Sequence, residues 1–142
     1  MDIRPLSSSY AVSPQIVPGD IQAIKEAGFL MVICNRPDGE IPADLSAENM
    51  RQAVEAAGMG FVVNPVIGGA LSMDNVDAQR ATIDGVDGKV LAYCASGNRS
   101  SIVWALALAG RQPTDDLIAA CSQHGYQTEQ FRGLIDQLAQ QG

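Results

Sequence analysis

The sequence predicts a single α/β domain with a mostly parallel central sheet flanked by helices. Four short apolar runs of strand length alternate with apolar or amphipathic runs of helix length. This alternation is typical of parallel strands joined by crossover helices. The chain has 142 residues, the size of one ordinary domain, and no repeat or low-complexity tract divides it. We therefore expect residues 1–142 to form one domain.

The predicted strands are the short apolar runs. The first, residues 8–13 (SSYAVS), has the weakest apolar character of the four. Residues 29–34 (FLMVIC) form a continuous apolar run, as expected of a central parallel strand buried on both faces. Residues 60–63 (GFVV) and 89–93 (KVLAY) complete the set.

The predicted helices follow from apolar periodicity and from residues that favour helix ends. Residues 101–109 (SIVWALALA) are apolar all round, which indicates a central helix buried on every side. The full set is 20–27, a helix capped by Ser46, 75–84, 101–109, and two final helices capped by Thr114 and Thr128.

Composition and charge exclude several kinds of partner. The formal net charge is −7 at pH 7, whereas nucleic acids and anionic membranes select a basic face. No apolar run is long enough to span a bilayer and no signal-peptide pattern is present, so we expect a cytoplasmic protein. Cys34, Cys94 and Cys121 fit neither a disulfide framework nor a Cys-x-x-Cys metal site. With no nucleotide motif or histidine–carboxylate cluster either, we expect no metal and no cofactor.

Three polar segments each follow a predicted strand. They are residues 35–40 (NRPDGE), 64–69 (NPVIGG) and 94–100 (CASGNRS). Ligands of open parallel sheets bind beyond the carboxyl ends of the strands. We therefore expect the three segments to lie together at one edge of the sheet.

The third of these segments carries the candidate active residues. The first N–H groups of a helix are unpaired and form an anion site with the positive end of the helix dipole. Gly97 can take a positive φ, which lets the preceding loop direct its N–H groups inward. Arg99 offers a planar fork of donors, and Cys94 lies where the same dipoles stabilise a thiolate. The backbone groups expected to bind the anion belong to Ala95, Ser96, Gly97 and Asn98.

Other candidates lie in the segment 35–40. Arg36 could supply a second cation for the substrate, and Asp38 and Glu40 could orient the substrate or Arg99. Alternatively, Pro-Asp-Gly forms an ordinary turn with solvated charges. Cys34 is either a buried apolar side chain or a resolving thiol for the nucleophile, since both cysteines end neighbouring predicted strands.

The order of an apolar strand, Cys-x-x-Gly-x-Arg-Ser and an apolar helix resembles the active loop of cysteine-based phosphatases and rhodaneses. Together with NRPDGE at 35–40 and Asn-Pro at 64–65, it resembles the phosphatase-like domain of the bacterial beta-lactamase-hydrolase-like proteins, from about Tyr10 to the last helix. The resemblance implies a dual-specificity-phosphatase-like fold.

The same resemblance implies roles for individual residues. It makes Cys94 the nucleophile, the backbone of residues 95–99 the oxyanion cradle and Arg99 the anion-binding side chain, and it implies that Ser100 donates to the cysteine sulfur. Some family members occur with sulfur-oxidising metallo-beta-lactamase-like domains, which implies a partner enzyme of sulfur metabolism.

Two departures from the dual-specificity phosphatases bear on the reaction. Four residues instead of five separate Cys94 from Arg99, and residues 64–69 stand where the general-acid aspartate is expected. Asp38 or Asp74 could substitute as the acid if the fold brings one within reach.

These departures lead to three hypotheses. Transfer of a sulfane sulfur through a Cys94 persulfide requires no general acid, and we favour this rhodanese-like activity on a small anion or persulfide. The first alternative is a phosphatase that forms phosphocysteine. The second is a non-catalytic anion-binding or redox-sensing module.

Overall fold

A computed structural model describes residues 2–67 and 70–141. Its strands form one five-stranded sheet in the order β1-β2-β5-β3-β4. They are Arg4–Pro5 (β1), Tyr10–Ser13 (β2), Phe29–Cys34 (β3), Gly60–Val63 (β4) and Lys89–Tyr93 (β5). All neighbouring strands are parallel except β1, which is antiparallel to β2. The mostly parallel sheet predicted from the sequence is confirmed.

Helices cover both faces of this sheet. They are Ile21–Glu26 (α1), Ala47–Ala56 (α2), Met73–Gly85 (α3), Asn98–Ala107 (α4), Thr114–Ser122 (α5) and Arg132–Gln141 (α6). The apolar side chains of α1 and α2 form one core with one face of the sheet. Those of α3, α4, α5 and α6 form a second core on the other face. No helix in the described part of the chain is long and apolar enough to cross a membrane.

The continuous apolar run of β3 is buried over only part of its length. Val32, Ile33 and Cys34 are completely buried, and alternate side chains enter the two cores. Leu30, near the amino end of the strand, is 53% exposed. The prediction of a strand buried on both faces is therefore correct for its carboxyl half, which adjoins the polar segments.

The buried central helix begins earlier than its apolar pattern indicates. The pattern predicts a start at 101, whereas α4 starts at Asn98. Gly97 has a φ of 93° and stands at the N-cap position, so the next three polar residues form the first helical turn. Polar residues in a first turn carry no apolar periodicity, which is why the sequence assigns them to the loop.

Helix capping is predicted correctly at one position and wrongly at two. Ser46 caps α2, its hydroxyl accepting the N–H of Asn49 at 3.3 Å. Pro113, and not Thr114, is the N-cap residue of α5. Thr128 begins a 3₁₀ turn that is followed by α6 at Arg132. In both wrong cases the threonine already lies inside helical backbone, where its hydroxyl cannot act as the cap.

The short strand β1 is absent from the sequence prediction because two residues carry no periodic signal. Arg4 pairs with Val12 near the carboxyl end of β2. This pairing brings Arg4 close to the edge of the sheet at which the parallel strands have their carboxyl ends.

The polar segments after the strands meet at that edge, as predicted. The Asn35 N–H donates to the Tyr93 carbonyl at 2.8 Å, and the Val66 N–H donates to the Asn35 carbonyl at 2.9 Å. Residues 68 and 69 of the predicted segment 64–69 lie outside the described residues. The Gln15 N–H, just after β2, reaches the Ala95 carbonyl at 3.4 Å and adds a fourth segment to the edge.

Candidate active site

The loop between β5 and α4 places a cysteine sulfur against a backbone amide. Cys94 is 1% exposed and lies at the base of the loop. The N–H of Gly97 donates to its Sγ at 3.1 Å. Because Gly97 is the N-cap residue of α4, the sulfur lies at the positive end of that helix. The sulfur therefore accepts a backbone hydrogen bond at the amino end of a helix.

The other loop amides differ in what they contact. The Asn98 N–H donates to the Ser96 hydroxyl at 3.3 Å. The Ser96 side chain is therefore the hydrogen-bond acceptor for this N–H at the start of α4. Ala95 and Ser96 are exposed, whereas Gly97 is buried. The Gly97 amide thus donates to the sulfur, and the expectation that residues 95–98 direct their amides at an anion stays a prediction.

A tyrosine from the far end of the chain holds the loop. The Tyr126 hydroxyl donates to the Ser96 carbonyl at 2.8 Å and accepts a hydrogen bond from Arg4 Nη1 at 2.7 Å. Burial raises the pKa of Tyr126, which keeps the hydroxyl protonated as a donor. Sequence reasoning missed both Tyr126 and Arg4, because neither lies near the loop in the chain and neither forms part of a motif.

Arg99 is oriented by a carboxylate on the neighbouring segment. Its Nη1 and Nη2 donate to the two carboxylate oxygens of Glu40 at 2.9 and 2.8 Å, and Nη1 also donates to the Val66 carbonyl at 2.8 Å. The Glu40 interaction raises the pKa of Arg99, with a smaller contribution from Cys94. Arg99 correspondingly lowers the pKa of Glu40. The orienting role predicted for Glu40 is observed towards Arg99.

The pattern of these bonds determines which donors of Arg99 are left for an anion. A guanidinium has five N–H groups in a fixed plane. Three donate to Glu40 and Val66, which leaves the Nε–H and the second Nη2–H among the contacts of the described residues. These two N–H groups share one edge of the guanidinium and can bind two oxygens of one oxyanion.

Arg36 joins the same cluster through Glu40. Its Nη1 donates to Gln15 Oε1 at 3.1 Å and its Nη2 donates to the Glu40 carbonyl at 3.0 Å. The Nε lies 3.6 Å from a Glu40 carboxylate oxygen. Two arginines therefore flank one carboxylate, and the role of Arg36 as a second substrate cation stays a prediction.

Neither candidate general acid contacts the loop. Asp38 accepts the N–H of Ala47 at 2.8 Å and so stabilises the start of α2. Asp74 is an exposed residue in the first turn of α3. Among the described residues, neither carboxylate forms a hydrogen bond or ion pair with Cys94 or Arg99. The acid role predicted for them is therefore without structural support.

Ser100 binds the segment after β3. Its hydroxyl donates to Asn35 Oδ1 at 2.9 Å and is fully buried. The bond from Ser100 to the Cys94 sulfur that the resemblance implies is not formed in this structure, because the one hydroxyl hydrogen is donated to Asn35. Ser100 instead ties the first turn of α4 to the segment after β3.

Asn35 belongs to a buried polar network that the sequence did not reveal. Its Nδ2 donates to the Asn64 carbonyl at 2.9 Å and to Gln79 Oε1 at 3.0 Å. Gln79 Oε1 also accepts from Asn64 Nδ2 at 2.8 Å, and its Nε2 donates to the Tyr10 hydroxyl at 2.9 Å. The network links α3 to the segments that follow β3 and β4 and to Tyr10, the first residue of β2. In the sequence, only the positions of Asn35 and Asn64 directly after predicted strands pointed to it.

The other two cysteines are buried in the cores. Cys34 packs with the core that contains α1 and α2, and its thiol donates to the Arg36 carbonyl at 3.4 Å. Burial raises the pKa of both Cys34 and Cys121. A raised pKa disfavours the thiolate, so Cys34 behaves here as a buried apolar side chain, and its resolving role stays a prediction.

A mostly parallel sheet with a cysteine loop between a central strand and a buried helix is typical of a dual-specificity-phosphatase-like fold, although the loop here has four residues between the cysteine and the arginine instead of five. The family model "Beta-lactamase hydrolase-like protein, phosphatase-like domain" matches residues 2–111. The chain belongs to this family, and the resemblance inferred from the sequence is confirmed.

Curated relatives extend well beyond this chain. The "Beta-lactamase hydrolase-like protein" of Xylella fastidiosa (strain Temecula1) is 29% identical over 128 residues, which cover 89% of this chain and 30% of the relative. The protein of that name from Agrobacterium fabrum (strain C58) is 28% identical over 123 residues, 85% of this chain and 28% of the relative. The chain thus spans under a third of the length of these relatives.

Solved structures agree with the fold along nearly the whole chain. A "putative phosphatase" from Neisseria meningitidis Z2491 superposes with a TM-score of 0.81 at 32% identity, covering 97% of this chain and 99% of that one. Tk-PTP in its active form gives a TM-score of 0.76 at 18% identity, covering 97% and 96%. At that identity the second likeness concerns the fold alone.

Proposed function

We propose that this domain is a cysteine-dependent phosphatase that hydrolyses small phosphate monoesters through a phosphocysteine on Cys94. The observation that carries the proposal is the Gly97 N–H donating to Cys94 Sγ at the start of α4. It gives a sulfur nucleophile a fixed donor at a positive helix end. The phosphatase-like fold of the family favours phosphoryl transfer over the sulfur transfer preferred from the sequence.

The reaction proceeds in two displacements at phosphorus. The Cys94 thiolate attacks phosphorus, the bond to the ester oxygen breaks, and the departing alkoxide takes a proton from water. A second water then attacks phosphorus, loses its proton to solvent, and releases inorganic phosphate as the thiolate re-forms. Arg99 binds two phosphate oxygens through its Nε and Nη2 hydrogens while Glu40 holds the guanidinium in plane.

Leaving-group preference follows from the positions of the aspartates. A general acid is needed most when the departing alkoxide is strongly basic. Asp38 stabilises the start of α2, and Asp74 is exposed on α3. We expect esters of acidic alcohols, such as 4-nitrophenyl phosphate, to be hydrolysed far faster than alkyl phosphates.

The test compares phosphate release from 4-nitrophenyl phosphate by the wild type, Cys94→Ser and Arg99→Lys. We expect Cys94→Ser to abolish turnover, and Arg99→Lys to reduce kcat/KM by about 100-fold because lysine cannot form the fork. Arg111→Lys is the matched control, since Arg111 also binds a carboxylate, Asp84, through two bonds. Full turnover by Cys94→Ser would refute the proposal.

Sulfane-sulfur transfer is the second candidate, and a specific observation favours it. The loop has four residues between Cys94 and Arg99, and neither Asp38 nor Asp74 reaches it. In this reaction the thiolate attacks the outer sulfur of thiosulfate, sulfite leaves, and cyanide removes the sulfur as thiocyanate. Thiocyanate formation assayed beside phosphate release separates the candidates, because only sulfur transfer produces thiocyanate. Before cyanide is added, sulfur transfer also leaves a Cys94 persulfide, which mass spectrometry detects as a higher mass.

A further inference from the structure

An apolar groove of about 390 Å³ begins at the catalytic loop and extends away from it. Residues from the segment after β4, from α4, from the 3₁₀ turn before α6 and from α6 itself form its walls. They include Val66, Ile67, Asn98, Arg99, Phe131 and Leu134. Its volume lies within the range of small-molecule sites.

The groove and the proposed anion site share residues. Asn98 and Arg99 are the first residues of α4 and line one end of the groove. The Arg99 bond to the Val66 carbonyl, at 2.8 Å, joins that end to the wall formed by the segment after β4. The groove therefore adjoins the side chain that binds the phosphate in the proposed reaction.

Two apolar side chains that line the groove are exposed. Ile67 is 57% exposed and Leu134 is 40% exposed. Exposed apolar side chains that line a groove offer apolar contact surface to a small molecule. Among the described residues, Arg99 is the one ionised side chain that lines the groove, so a further charged group of a ligand there would lose hydration without gaining a partner.

We infer that this groove binds the organic part of the substrate and selects phosphate monoesters whose alcohol is an uncharged apolar group. The inference rests on the proposed phosphatase function. The phosphate is held by Arg99, and the apolar group lies between α4 and α6 against Ile67 and Leu134. The net charge of −7 acts in the same direction, because it repels substrates that carry further anionic groups.

Binding to the inactive Cys94→Ser chain tests this selection without requiring turnover. The probes are 1-naphthyl phosphate, ethyl phosphate and inorganic phosphate, titrated calorimetrically. We expect 1-naphthyl phosphate to bind at least tenfold more tightly than ethyl phosphate. Adding Leu134→Ser should lower the affinity for 1-naphthyl phosphate about fivefold, because the naphthyl group loses its apolar contact with the leucine side chain. The affinity for inorganic phosphate, which has no apolar group, should stay unchanged.

Leu30→Ser is the matched control, because Leu30 is a similarly exposed leucine near the amino end of β3, away from the groove. We expect it to leave all three affinities unchanged. Equal affinities for the two esters, or equal effects of the two leucine substitutions, would overturn the groove inference while leaving the phosphatase proposal intact. Failure of every phosphate to bind would overturn both.

Discussion

Gly97 shows why one position of the loop excludes every side chain. Its φ of 93° is a left-handed conformation that other residues adopt only with strain. A Cβ added there would lie 2.2 Å from the Tyr126 hydroxyl oxygen and 3.5 Å from the Ser13 backbone. The same glycine supplies the N–H that contacts Cys94, so backbone conformation and chemistry depend on one residue.

We expect Gly97→Ala to lower the free energy of unfolding by about 2–4 kcal/mol, from the left-handed strain and the overlap with Tyr126. Urea unfolding measures the change. Gly133→Ala is the control, because Gly133 lies in α6 with nothing within 4 Å of the added Cβ and should be neutral or slightly stabilising. Adding Tyr126→Phe to Gly97→Ala should restore part of the lost free energy of unfolding, because it removes the overlapping hydroxyl. A Gly97→Ala variant as stable as the wild type would show that the loop adapts to the added side chain.

The helix α3 acts on the site through its one fully buried amide. Gln79 is completely buried, and its side chain bonds to Asn35, Asn64 and the Tyr10 hydroxyl. The positions of two strand-end segments therefore depend on a helix that contributes no residue to the loop between β5 and α4. A buried amide with all its bonds formed rigidifies its surroundings, whereas a missing partner is costly.

We expect Gln79→Met to destabilise the protein by about 2–3 kcal/mol, because it leaves one N–H each of Asn35 and Asn64 without its acceptor. Gln52→Met, on the exposed face of α2, should change stability by less than about 0.5 kcal/mol. Thermal unfolding of both variants provides the comparison. Equal stability of the two would mean that the network rearranges without cost.

Acidic side chains held by arginines occur in separate parts of the molecule. Arg99 lowers the pKa of Glu40, and Arg111 lowers the pKa of Asp84. A carboxyl group whose pKa is lower in the folded protein stabilises the fold at pH values above its unfolded pKa. That stability is lost as the pH falls through the folded pKa, because the unfolded chain then binds more protons. The free energy of unfolding of the whole domain should therefore decrease as the pH falls and these carboxyl groups become protonated.

We expect the free energy of unfolding to fall steadily below about pH 4.5, near the ordinary pKa of these carboxyl groups. Glu40→Gln should cost about 1 kcal/mol at pH 7, since the carboxylate is partly exposed, and the cost should vanish as the pH falls well below 4. Glu48→Gln, at an exposed glutamate 3.6 Å from Arg51, is the control and should change stability at pH 7 by less than about 0.5 kcal/mol. A Glu40→Gln cost that is constant with pH would show that the charge of Glu40 is not the stabilising feature.

Local sequence patterns were sufficient for much of the fold and for the centre of the site. The apolar runs at 29–34, 60–63 and 89–93 predicted three strands with the bounds that the structure shows. The glycine between Cys94 and Arg99 predicted the turn into a helix. These features are local, because strand and helix periodicity and positive φ act over a few neighbouring residues.

The sequence by itself determined the parallel α/β architecture, the Cys-x₄-Arg loop and the edge of the sheet where that loop lies. Only the tertiary structure decided that Tyr126 and Arg4 hold the loop, that Gln79 ties its neighbours together, and that Asp38 binds the start of α2. Each of these outcomes joins residues that are not neighbours in the chain. Their distances depend on how helices pack on the sheet, and no local periodicity encodes that packing.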